Sequence, residues 1–190
     1  PLVGRDLEQE ALTDAVAGLT SRRGGVIIIE GDDGSGKSRL LDVAMDRCRS
    51  LGLPHHRIEF VPEAPIFSNI LKLSRDMAKE LGTRTPPELR QALQTFSEGR
   101  QTRGSSRYTL YDGAREALDT LMEGAPQVLL FDDLHEANAR ALEFIAYLVR
   151  TLIANDKKPL LVLATLRTKA NPSADALAIG EDLGMEPQNI

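Results

Sequence analysis

A three-layer α/β/α domain on a mainly parallel sheet is the fold class this sequence predicts, and three observations predict it. Strand-like apolar runs alternate with amphipathic helical stretches, the order that builds a parallel sheet covered by helices on both faces. The first strong run, Val26-Ile27-Ile28-Ile29, is continuous and β-branched, as a strand buried on both faces requires, and Gly31 ends it. A second run, Val128-Leu129-Leu130-Phe131, delivers two aspartates at its carboxyl end, where ligands sit in open parallel sheets.

Taken in order, a strand over 26–30 precedes a helix over 37–50. A weaker strand covers 54–60, and 67–81 reads as a helix through Ile70, Leu71, Leu73, Met77 and Leu81. Pro86 and Pro87 open another helix near Glu88, proline being suited to a first helical turn. The polar stretch 97–107, with Gly99 and Gly104, reads as a loop. A helix over 109–123 is closed by Gly124 and Pro126 before the strand 128–131. Leu142, Ile145, Val149 and Leu152 mark a helix over 138–154, and Pro159 leads into a strand over 160–164. The rest is a peripheral tail, 168–190, with a short helix over 174–183.

The chain has 190 residues, which favours one domain over two. With 42% hydrophobic and 27% charged residues it has a globular composition. A formal charge of −5 provides no global field for nucleic acid or an anionic membrane, so nucleic-acid contact through this domain is not expected. No apolar run approaches the ~18 residues of a membrane span. The single cysteine, Cys48, excludes an internal disulfide or a zinc site of four cysteines; it falls in a helix as a small buried apolar residue and fits a reducing, cytoplasmic compartment. Opening on Pro1 without an initiator Met, the chain reads as a fragment of a larger protein.

Gly31-Asp32-Asp33-Gly34-Ser35-Gly36-Lys37-Ser38 matches G-x-x-x-x-G-K-[ST], between a buried strand and a helix. The glycines permit a tight backbone path that turns N–H groups inward as an anion nest, reinforced by the positive end of the following helix. Lys37 supplies a point charge for the β and γ phosphates of ATP or ADP, and the Ser38 hydroxyl is a hard ligand for Mg²⁺. The nucleotide-binding set is Gly31, Gly34, Ser35, Gly36, Lys37, Ser38 and Arg39. Asp32 and Asp33 would repel a polyphosphate unless they point outward, which lowers the expected affinity.

Asp132, after the second buried strand, is expected to hold Mg²⁺ with Ser38, directly or through water. Asp133 is placed to orient or deprotonate a water attacking the γ phosphate. Thr165 and Arg167, after the last strand, bring a hydroxyl and a guanidinium that could reach the γ phosphate or that water. Asp133, Lys37, Thr165 and Arg167 are thus the catalytic candidates. His135 is read as packing in a turn, Arg100, Arg103 and Arg107 as a solvated face, and His55 and His56 lack partners for a metal.

These landmarks resemble a known group. Leu2-Val3-Gly4-Arg5-Asp6-Leu7-Glu8 is similar to the box that opens ATPase domains of the STAND class (signal-transduction ATPases with numerous domains) and of their AAA+ relatives of origin-recognition type. Asp132-Asp133-Leu134-His135 resembles the acidic signature of bacterial STAND regulators, and 160–167 their sensor strand. The resemblance implies a P-loop NTPase fold truncated before its lid, adenine held near Val3 and Gly4, and slow ATP hydrolysis as the switch of a multidomain signalling protein. It also implies flanking domains of the same parent chain, a protein effector and nucleotide-dependent self-association. Glu136, Asn138 and Asp33 depart from the family pattern, and a fifth strand beside the loop strand is absent or barely begun. A DNA-associated AAA+ ATPase of origin-recognition type and a nucleotide or small-molecule kinase are the alternatives.

Overall fold

The strands Gly25–Gly31 (β1), His55–Glu59 (β2), Gln127–Asp132 (β3), Leu160–Arg167 (β4) and Gln188–Asn189 (β5) form one sheet in the order β2, β3, β4, β1, β5. Every pairing is parallel. The computed structural model describes residues 5–21, 24–98, 105–167 and 188–189. The fifth strand, β5, is short, with two residues paired to β1 at Ile29 and Glu30.

Asp6–Gly18 (α1) and Lys37–Leu51 (α2) cover one face. Ser68–Leu81 (α3), Pro87–Ser97 (α4), Ser105–Gly124 (α5) and Ala139–Leu148 (α6) cover the other, completing the three layers. Side-chain alternation sorts the strands cleanly. Val26, Ile28, Leu129, Phe131, Val162 and Ala164 join the core under α3 to α6. Ile29, Val128, Leu130, Leu161 and Leu163 join the core under α1 and α2. Each fully buried aliphatic side chain contributes about 1.5–3 kcal/mol relative to exposure. Continued by two, the same parity carries Asp132 and Thr165 to the α2 face.

The structure adds to and corrects several expectations. The helix α1 was not expected; Leu12, Val16 and Leu19 are buried at helical spacing, but Leu7 is 79% exposed and blurs the pattern. The stretch expected as a loop to 107 already turns helical at Ser105. At Gly113 that helix meets α4 so closely that a Cβ would lie 2.5 Å from the Leu89 nitrogen. The helix expected to run as one to 154 is α-helical to Leu148 and π-helical over Val149–Asn155. There the Thr151 hydroxyl donates to the carbonyls of Tyr147 and Leu148, 2.7 and 3.3 Å away, competing for the acceptors of a regular ladder. The strand expected to stop at 164 runs to Arg167 beside β1, pairing Thr165 with Ile29 and Arg167 with Gly31. The tail helix expected over 174–183 lies outside the described residues.

Candidate active site

The loop between β1 and α2 takes the predicted tight path. Gly34 and Gly36 have φ of +74° and +91°, in the left-handed region that favours glycine. Gly36 caps α2, so the first N–H groups of that helix open into the loop. Lys37 is 7% exposed, and its Nζ donates to the carbonyls of Gly31 (2.9 Å) and Asp32 (2.8 Å), which holds the ammonium inside the loop. The buried Ser35 hydroxyl has no hydrogen-bond partner.

Since β4 lies between β1 and β3, the phosphate-loop strand and the aspartate strand flank a common neighbour. Asp132 collects three donors. Its Oδ1 accepts from Ser38 Oγ (3.0 Å) and Thr165 Oγ1 (2.7 Å), and its Oδ2 accepts from Arg57 Nη2 (2.5 Å). Burial pushes this carboxyl up, but the hydrogen bonds from Thr165, Arg57 and Ser38 and the Arg57 charge outweigh it and hold Asp132 below the ordinary carboxylate range. Asp132 is therefore a buried, ionised acceptor at neutral pH.

Arg57 was not among the sequence candidates. It sits on β2 on the face opposite to Ile58, and its other nitrogen donates to Asp42 Oδ1 of α2 at 2.7 Å. A signal existed: Arg57 shares Asp132's parity, and Glu59 is the residue in register with Asp132.

Asp133 leaves the strand in a left-handed conformation, φ 54° and ψ 48°, which Asp tolerates better than most residues. Its N–H donates to Thr165 Oγ1 at 2.8 Å, and its side chain is 40% exposed. The two acids are thus in different environments, one locked beneath the sheet edge and one facing water.

Thr165 and Arg167, expected to reach the γ phosphate or its attacking water, both make contacts within the protein. Thr165 is fully buried, and its hydroxyl is committed to Asp132 and to the Asp133 N–H, so it braces both acids. Arg167 Nε lies 2.6 Å from Asp33 Oδ1, a charge contact without good hydrogen-bond alignment. Asp33, the awkward acid of the loop, is thereby matched by the strand-end arginine. Replacing Asp33 with Asn should release Arg167 and remove a carboxylate from the loop 31–38. Exposed pairs contribute ~1 kcal/mol or less, so triphosphate affinity should rise about threefold to fivefold, and diphosphate affinity by less. Competition titration against a fluorescent nucleotide measures both, and equal affinity in parent and variant would refute this latch.

Arg39 turns to Asp42, 3.7 Å away, with most of its side chain exposed. His135 has a side chain only 5% exposed, with Nε2 3.4 Å from Glu136 Oε1, consistent with packing in the turn. Arg107 contacts Tyr108 and Glu143, while Val3, Gly4, Arg100 and Arg103 lie outside the described residues. His56 is 3.6 Å from Glu80 and His55 bonds the Leu53 carbonyl. Cys48 is fully buried, and burial pushes its thiol up to about 11, too high for a reactive thiolate. No helix among the described residues is long and apolar enough to cross a membrane.

The AAA ATPase domain family matches residues 1–163. No curated protein matches the chain. Among solved structures, that of Aeropyrum pernix ORC1 in complex with DNA is 16% identical, with a TM-score of 0.61, over 100% of this chain and 46% of that one. Replication initiator DnaA bound to AMPPCP and single-stranded DNA is 19% identical, with a TM-score of 0.56, over 99% of this chain and 46% of that one. A DNA replication initiation factor is also 19% identical, with a TM-score of 0.55, over 98% of this chain and 46% of that one. The chain spans about half the length of these structures. At such identities the likeness establishes the shared fold.

Proposed function

The chain belongs to the AAA ATPase domain family, and from that premise we propose that it binds ATP with Mg²⁺ on the loop 31–38 and hydrolyses it slowly as a conformational switch. The observation that carries this reading is Asp132, a buried ionised carboxylate shared by Ser38 of the loop and Thr165 of the neighbouring strand. The residues fit both groups. The orphaned Ser35 hydroxyl and the N-terminus of α2 offer donors to phosphate oxygens, and Lys37 offers its charge. Ser38 Oγ and the Asp132 carboxylate are hard oxygens 3.0 Å apart, suited to Mg²⁺ directly or through water. By donating its proton to Asp132, Ser38 keeps its lone pairs for a cation.

Bound Mg²⁺ supplies charge neutralisation for the β and γ phosphate oxygens. The protein's own share falls to named groups. Lys37 and the α2 N-terminus orient the phosphates, Asp133 orients or deprotonates the attacking water, and Arg167, once free of Asp33, balances charge at the γ phosphate.

Of the two finer readings, a DNA-associated ATPase of initiator type is favoured over a signalling regulator. It is supported by the likeness to initiators solved with DNA, whereas the signalling reading rests on the Asp132-Asp133-Leu134-His135 run. With a formal charge of −5, DNA contact would be local rather than global. The purified chain should bind nucleotide with Mg²⁺, release phosphate slowly, and shift the anisotropy of labelled DNA more with AMPPCP than with ADP. Absence of the DNA shift would return the finer reading to a signalling switch. Phosphate transfer to a small acceptor instead of water would replace the ATPase reading with a kinase.

A further inference from the structure

Arg57 is held at both ends of its guanidinium. Nη2 donates to Asp132 Oδ2 at 2.5 Å, while Nη1 donates to Asp42 Oδ1 at 2.7 Å and lies 3.7 Å from the Met45 sulfur. Its side chain is 28% exposed and that of Asp132 only 4%, so this ion pair is screened far less than a surface pair. With Ser38 and Thr165 on Oδ1, Asp132 has donors on both oxygens and a matched charge. Asp33 is also matched by an arginine, Arg167, but in an exposed charge contact.

A carboxylate in this state is a poor first partner for a divalent cation. Three donors compete for its lone pairs, two on Oδ1 and one on Oδ2, and the incoming charge meets a fixed guanidinium at the same group. A nucleotide changes the balance, since its polyphosphate adds several negative charges and its own oxygen ligands beside Ser38. We propose that Arg57 is a tethered counter-ion that keeps the site from taking up a divalent cation until nucleotide is bound, and so sets the order of loading. This rests on the assignment of Ser38 and Asp132 as the metal-holding pair. A purely structural tie between β2, β3 and α2 would hold the fold together but would not suppress metal uptake.

The discriminating measurement is the binding of Mn²⁺, followed by the electron paramagnetic resonance of the free ion, with and without ADP. An opposite charge in contact changes a carboxylate's proton affinity by about 10- to 1,000-fold, and a metal competes for the same lone pairs. Arg57→Gln should therefore bind Mn²⁺ about tenfold more tightly than the parent in the absence of nucleotide, and within about threefold of it when ADP is present. Arg57→Lys, which keeps the charge, should stay near the parent. Arg57→Met, of similar reach, replaces the glutamine variant if thermal melting shows that variant unfolded at the assay temperature. Unchanged or weaker nucleotide-free binding in the charge-removed variant overturns the proposal. Failure of the parent itself to take up Mn²⁺ even with ADP overturns instead the assignment of Ser38 and Asp132.

Discussion

Asp133→Asn is expected to lower phosphate release from bound ATP by about 100-fold or more, the range of a lost general base, while nucleotide affinity stays within about threefold. The neighbouring acids divide the work by environment. Asp132 is 4% exposed, engaged by three donors and held below the ordinary carboxylate range, so it is a weak base for a water. Asp133 is 40% exposed; its N–H donates to Thr165, and its Oδ1 lies 4.0 Å from His135 Nδ1 with no strong donor on it among the described residues. Asparagine has the same shape and, like aspartate, accepts the left-handed backbone seen at this position, so the variant removes charge and basicity without reshaping the turn. A single-turnover assay of phosphate release, paired with a nucleotide titration, separates chemistry from binding. Unimpaired release would remove Asp133 from the reaction.

The Thr165 hydroxyl touches both acids, the Asp132 carboxylate and the Asp133 N–H, and is fully buried. Its role is to position them, which is why the sequence could place it near the chemistry but not say what it touches. The phosphate loop and the acidic strand were legible because each is local: a glycine pattern between a strand and a helix, and an apolar run ending in carboxylates. Arg57 escaped because its partner is 75 residues away and its strand is short and polar. Two pieces had to be combined to find it, the parity of β2 and its adjacency to β3, and adjacency is a property of the sheet order. The Asp33 and Arg167 contact was hidden for a related reason. Arg167 comes beside Gly31 only because β4 runs on past the point where its apolar pattern ends and pairs with β1. The helix α1 was missed for a local reason, the exposed Leu7 at its start.

Lys37→Ala should produce the largest loss of binding, about 100-fold or more in triphosphate affinity, because charge-assisted hydrogen bonds to phosphate are among the strongest a site can make. The loop 31–38 contains one cation, Lys37, and two acids, Asp32 and Asp33, so the substitution removes the loop's one positive charge and leaves both acids unopposed within it. Stability should respond little. Two bonds to the Gly31 and Asp32 carbonyls are lost, each worth about 1 kcal/mol net, and removing a charge that is only 7% exposed offsets part of that cost. A fluorescent-nucleotide titration beside a thermal melt tests both halves, and retention of affinity within tenfold would show that the loop is not the phosphate cradle. Lys37 and Arg57 differ in what holds them. Both cations are tied to protein oxygens, but Lys37 sits inside the loop on neutral carbonyls that it can exchange for phosphate, whereas Arg57 is fixed between two carboxylates. Loss of the first should abolish nucleotide binding, and loss of the second should spare it while admitting metal early.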